Sequence, residues 1–91
     1  MFSIRVELHN ATWSDYIKLA EGLRAYGIVD TVLGNDGIRY KLPPAEYHYD
    51  GNRALAQVQE SARMAGASTG RQHAVVSHEV SRMLWAGLQR A

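Results

Sequence analysis

Residues 2–9, FSIRVELH, alternate without a break between apolar and polar side chains. Phe2, Ile4, Val6 and Leu8 fall on one face, and Ser3, Arg5, Glu7 and His9 on the other. Successive side chains of a strand point to opposite faces, so this segment reads as a half-buried strand. A strand with one apolar face needs a second layer over that face, and the following residues supply it.

Thr12–Asp15, TWSD, has the form of a capping box, in which Thr12 accepts from the amide three residues on and the acid answers back. Trp13, Tyr16, Ile17, Ala20 and Leu23 follow at helical spacing, and Gly27 stands where a left-handed stop belongs. The spacing predicts a helix over 13–26. IVDTVL (28–33) is β-branched and short, GNDG (34–37) is a hairpin turn signal, and IRYKL (38–42) returns as the partner strand. AEYHY (45–49) resumes the extended pattern beyond Pro43 and Pro44. A second helix, over 53–67 and capped by Asp50 or Asn52, has the narrow stripe Leu55, Val58, Ala62 and Ala65. STGRQ reads as a loop and HAVVSHEV as a last strand. SRMLWAGLQRA reads as a tail with one helical turn, with Met83, Leu84 and Trp85 packing back.

The order β-α-β-β-α-β on one domain spanning 1–91 gives an α+β class and a ferredoxin-like arrangement. The expectation is one four-stranded antiparallel sheet in order 4-1-3-2, with two helices on one face. Its third strand would be central, yet two prolines cannot donate to a continuous ladder. IRYKL is therefore expected to pair with the second strand as a projecting hairpin and AEYHY with the first, with a bulge or kink at Pro43-Pro44. A one-residue shift of register would reverse the two faces, but two aromatic residues fill a small core better than a glutamate, which favours Tyr47 and Tyr49 inward. Glu46, His48 and Asp50 then join Arg5, Glu7 and His9 on the open face.

Antiparallel pairing brings the end of the first strand to the start of the last. His9 and His73 should share one edge, and His48 and His78 the other. Paired histidines can serve as general base and acid in RNA cleavage by the 2′-hydroxyl, without a metal or other cofactor. His9 and His73 are the candidate catalytic pair. Arg5, Arg39 and Arg71 are candidate phosphate ligands. Arg39, Tyr40 and Lys41 form the best basic-aromatic patch for a single-stranded nucleic acid. His48, Asp50 and His78 are the nearest approach to a metal set, but they lack tight ligand spacing. Ser3, Ser77 and Ser81 sit in no nucleophile motif. The competing reading of each histidine is a solvated residue at a strand end, and of RYK an ordinary exposed hairpin.

The charge bears on partners. Ten Lys and Arg oppose nine Asp and Glu, a net of +1, which is not the footprint of a strong non-specific nucleic-acid binder. Eight of the ten cations are arginine, which suits bidentate contacts to phosphate and is also common in GC-rich genomes. There is no cysteine, hence no disulfide and no thiolate site, which fits a reducing cytoplasm. The opening residues lack a basic segment followed by an apolar block, and no apolar run approaches a membrane span.

MFSIRVELHNATWSDYIKL, GIRYKLPPAEYHYDG and TGRQHAVVSHE together resemble small bacterial and phage proteins grouped with GhoS. GhoS is the endoribonuclease antitoxin of type V toxin–antitoxin systems. The resemblance implies a ferredoxin-like fold related to small CRISPR-associated adaptation nucleases, and cleavage of a toxin's messenger RNA. Those nucleases often end the first strand on an acidic residue. LHN stands here instead, so no metal-dependent mechanism and no catalytic residue is carried over. Two function classes follow. One is an RNA-binding or RNA-cleaving regulator acting on single-stranded RNA. The other is a non-catalytic module that binds a protein partner through the open sheet or an edge. A second copy covering the open face, with reciprocal Arg5–Glu7 ion pairs, would make a homodimer.

Overall fold

A computed structural model describes all residues from Met1 to Ala91. The alternating N-terminal segment forms β1 (Phe2–Leu8), and α1 follows at Trp13–Arg24. Thr12 and Asp15 make the capping box in both directions: the Asp15 N–H donates to Thr12 Oγ1 and the Thr12 N–H to Asp15 Oδ2. The helix closes where Gly27 adopts φ +77°. There the Ile28 N–H reaches back to the Leu23 carbonyl and the Gly27 N–H to that of Arg24, a Schellman closure. Ile28 and Leu23 are both fully buried, which supplies the apolar contact that accompanies this motif.

β2 (Thr31–Leu33) and β3 (Arg39–Lys41) form a hairpin around Gly34–Gly37. β4 (Glu46–Tyr49), α2 (Leu55–Ala67) and β5 (His73–Glu79) complete the order. The chain is α+β with antiparallel strands and two helices. The expected single sheet in order 4-1-3-2 is not formed. The strands instead make a three-stranded sheet, β4-β1-β5, and a separate two-stranded sheet, β2-β3.

The division has a local cause. Pro43 and Pro44 offer no N–H, and Ala45 adopts the left-handed φ of +68°. The Glu46 N–H donates to the Pro43 carbonyl, closing a turn between β3 and β4. The expected break at the prolines is therefore present, and it separates two sheets rather than bending one. A single bridge, Val29 to His48, still joins the segment before β2 to the outer side of β4.

Both helices cover the apolar face of β1. Phe2, Ile4, Val6 and Leu8 share one core with Leu19 and Leu23 of α1 and Val58, Ala62 and Ala65 of α2. Ile4, Val6, Leu19, Leu23, Ile28 and Val58 are wholly inaccessible, each worth roughly 1.5–3 kcal/mol of burial. α2 lies close because its inner stripe is small: Ser61, Ala62, Ala65 and Gly66 are all buried. It starts at Leu55, with Ala54 as its cap, rather than at Arg53 behind Asp50 or Asn52. Tyr47 is buried in the core and Tyr49 packs against Phe2 at 5.6 Å between rings, so both tyrosines point inward.

The tail differs most from expectation. It forms no helical turn and runs extended beside β3. The Lys41 N–H donates to the Gln89 carbonyl at 2.8 Å, the Ala91 N–H to the Arg39 carbonyl at 3.0 Å, and Tyr40 bridges Arg90. Trp85 packs on Tyr40, with ring centroids 6.4 Å apart, whereas Leu84 is 97% exposed and packs on nothing.

Candidate functional site

The register of the main sheet fixes what its open face presents. Ser3 pairs with His48 on one side and His78 on the other. Arg5 lies between Glu46 and Val76, and Glu7 opposite Ala74. Directly paired residues point to the same face, so His48, Ser3 and His78 form one row across three strands. Adjacent strands are about 4.8 Å apart, which puts the two histidine backbones about 10 Å apart with a small side chain between them. Arg5 Nε lies 3.6 Å from Glu7 Oε2 in the same chain, so the pair is already made without a second copy. The face mixes signs and carries no continuous cationic strip.

His48 is the unusual member of that row. Its Nδ1 is buried without a hydrogen-bond partner. Burial, opposed by the Asp50 carboxylate, holds its pKa below the ordinary histidine value, and the Met1 amine and Arg39 push the same way.

His9 and His73 share the other end of the sheet but not a face. His73 pairs with Leu8, whose side chain is in the core. The His73 ring lies against α2 at Gly66, and its Nδ1 is 2.9 Å from the Arg71 carbonyl. A carbonyl only accepts, so Nδ1 carries the proton. His9 is exposed one residue beyond Leu8, and no hydrogen bond joins the two imidazoles. A pairing that antiparallel topology brings to one end is thus separated by the two-residue period of the strand.

Arg71 is occupied as well. Its Nε donates to Asp15 Oδ2 at 2.9 Å, tying the loop after α2 to the start of α1. The Thr12 amide, the Thr12 hydroxyl and Arg71 together hold the Asp15 carboxyl below its ordinary range.

The hairpin carries more charge than the RYK segment alone, because the tail adds Arg90. Residues 31–41 and 82–91 contain Arg39, Lys41, Arg82 and Arg90 against one carboxylate, Asp36. The Tyr40 hydroxyl donates to that carboxylate at 2.6 Å, which lowers the Asp36 pKa and raises that of Tyr40. The other six cations of the chain face eight carboxylates. Arg39, Lys41 and Arg90 are all exposed, but on two faces: Tyr40 and its bridge partner Arg90 share one with Trp85, and Arg39 and Lys41 take the other. A net charge of +1 therefore conceals a cationic end and an acidic remainder.

Between α1, the proline turn and the tail lies a cleft of about 810 Å³. Its walls include Trp13, Tyr16 and Tyr47, together with Lys41, Asp30 and Glu46. Trp13 is 78% exposed at the rim, although it begins an ordered helix. The Tyr16 hydroxyl accepts from the Leu8 N–H at 3.0 Å, which fixes that ring. Tyr47 is only 5% exposed, and burial first, then the charge of Asp30, pushes its hydroxyl up to about 12. It stays protonated at any physiological pH and so keeps the capacity to donate.

The cleft had no counterpart in the sequence pattern. Its walls come from residues 13–24, 30, 41–47 and 87–89, and only the unforeseen strand pairing of the tail assembles them. Nowhere does the fold gather three or more His, Asp or Glu side chains able to hold a metal ion. No helix is long and apolar enough to cross a membrane. No protein-family model matches the chain, and no curated protein matches it in sequence.

Proposed function

We propose that this chain is a small RNA-binding regulator, of the kind its resemblance to endoribonuclease antitoxins implies, that holds single-stranded RNA on the hairpin–tail sheet. One observation carries the reading: Arg39, Lys41 and Arg90 and the Tyr40–Trp85 pair belong to the hairpin and the tail strand beside it, held by backbone bonds between residues far apart in sequence, with cations on both faces. Single strands are bound by cationic surfaces that track phosphates, with rings on which bases stack. A ferredoxin-like ancestry accords with the order β4-β1-β5 and with the Val29–His48 bridge, which sets the second-strand segment outside β4.

Fluorescence anisotropy with a labelled single-stranded RNA tests this across a salt series. Each neutralised phosphate contributes about 0.7 to the slope of log K against log salt for a single strand. Arg39, Lys41 and Arg90 together give a slope of about −2, and Arg39→Ala with Arg90→Ala should flatten it by more than half. A salt-independent affinity would defeat the proposal.

Cleavage of the bound strand without a metal would need paired imidazoles. The register supports His48 and His78, on one face across Ser3, over His9 and His73, one of which is packed against α2. The second reading, a non-catalytic protein-interaction module, is favoured by the mixed charge of the open face and by Val76, 52% exposed on the edge strand β5. A second copy seated there would make the homodimer.

A further inference from the structure

We propose that the cleft beside the hairpin receives one unstacked base of the bound strand, and that its polar lining favours guanine. The inference rests on the RNA reading and adds a base-reading site to it. Sequence-specific recognition of single-stranded RNA splays bases out, stacks them on aromatic rings and reads their hydrogen-bonding edges. The cleft is placed for that. Lys41 belongs both to its wall and to β3, and residues 87–89 of the tail line it just before Arg90. A strand held at Lys41 therefore passes its mouth.

The lining supplies the stacking surface. Trp13 stands at the rim with most of its ring in solvent, and Tyr16 is fixed by its bond to the Leu8 amide. A tryptophan at 78% exposure gives up apolar contact with water when a flat ring covers it. The edge chemistry selects among bases. Glu21, Asp30 and Glu46 can only accept, while Tyr47 keeps its proton and Arg24 and Lys41 can only donate. Guanine presents two adjacent donors, N1–H and the N2 amino group, to a carboxylate, and two acceptors, O6 and N7, to the donors opposite. Adenine and cytosine each offer one amino group with no second donor beside it, and uracil a single N–H between two carbonyls. A carboxylate paired with any of these three faces an acceptor next to the donor, which repels it.

The experiment compares four labelled octanucleotides at fixed salt: oligo-U, and oligo-U with one central G, A or C. The G-containing strand should bind about tenfold more tightly than oligo-U, with A and C close to oligo-U. Trp13→Ala and Tyr47→Phe should each erase that preference while leaving the affinity for oligo-U and its salt slope unchanged. Circular dichroism checks that both variants fold. Arg39→Ala with Arg90→Ala should weaken all four strands and preserve the ranking. Equal binding of all four, or a G preference that survives Trp13→Ala, would overturn the base-reading cleft and leave the cationic platform standing. Failure of every strand to bind would overturn both.

Discussion

Replacing Gly66 by alanine should not bring this protein the full stabilisation that the same change brings in an ordinary helix interior. Gly66 is a buried residue of α2 with unexceptional helical backbone, so alanine meets no conformational objection. The propensity gain alone is about 0.8–1.0 kcal/mol. A Cβ placed there would lie 2.6 Å from His73 Cδ2 and 2.8 Å from Nε2, well inside contact distance. Either the helix shifts from the sheet, at roughly 1–3 kcal/mol for overpacking, or the imidazole swings out and loses its bond to the Arg71 carbonyl, worth about 0.5–1.5 kcal/mol. Either route offsets most or all of the propensity gain, so the net change in wild type should lie between about 0.5 kcal/mol of gain and 2 kcal/mol of loss. In a His73→Ala background the obstruction is gone, and Gly66→Ala should stabilise by about 1 kcal/mol. The difference between the two backgrounds, a coupling of about 0.5–3 kcal/mol, is read from urea unfolding of the four proteins in a double-mutant cycle. Equal stabilisation by Gly66→Ala in both backgrounds would show that the His73 ring is not on α2. That result would reopen a His9–His73 pair.

Two further outcomes follow. Ala45→Gly should raise stability by about 0.5–1 kcal/mol, because glycine removes the roughly 1–2 kcal/mol cost of the left-handed φ of +68° and returns only part of it as chain entropy. A β-branched valine there should do the opposite, and an unchanged melting temperature for both would contradict the turn geometry. His48 makes folding acid-sensitive. Its folded pKa is lowered, chiefly by burial, so as pH falls through about 6.5 the unfolded chain takes up a proton that the folded chain refuses. Stability is then full above that pH and declines below it until the folded imidazole itself titrates. Asp50 opposes the shift and Arg39 and the Met1 amine reinforce it, so His48→Gln should flatten the urea midpoint between pH 5 and 7 relative to wild type. Parallel curves for the two proteins would remove His48 as the cause.

Much of the fold is legible because its signals are local. The alternation of residues 2–9 gives both β1 and its buried face, Thr12 and Asp15 announce the start of α1, and Gly27 announces its end. The prolines announce a break, but nothing local says whether a break bends one sheet or divides it. That depends on Ala45 adopting a left-handed conformation, which its side chain does not favour. The tail was illegible for a different reason. Its pairing with β3 uses backbone groups 48 residues or more apart, and residues 81–91 carry no alternation to betray a strand. The histidines show the same limit. Topology tells which ends meet, whereas register decides which faces meet: at one end His73 pairs with Leu8, one residue short of His9, and at the other His48 and His78 both flank Ser3.

A map of backbone amide shifts as single-stranded RNA is titrated into isotope-labelled protein tests the placement of RNA most directly. Binding on the hairpin–tail sheet predicts that residues 31–41 and 82–91 move first and together, with Arg39, Tyr40 and Arg90 among the largest changes. Saturating shifts confined to α2 and β5, or no shifts at millimolar RNA in low salt, would contradict it.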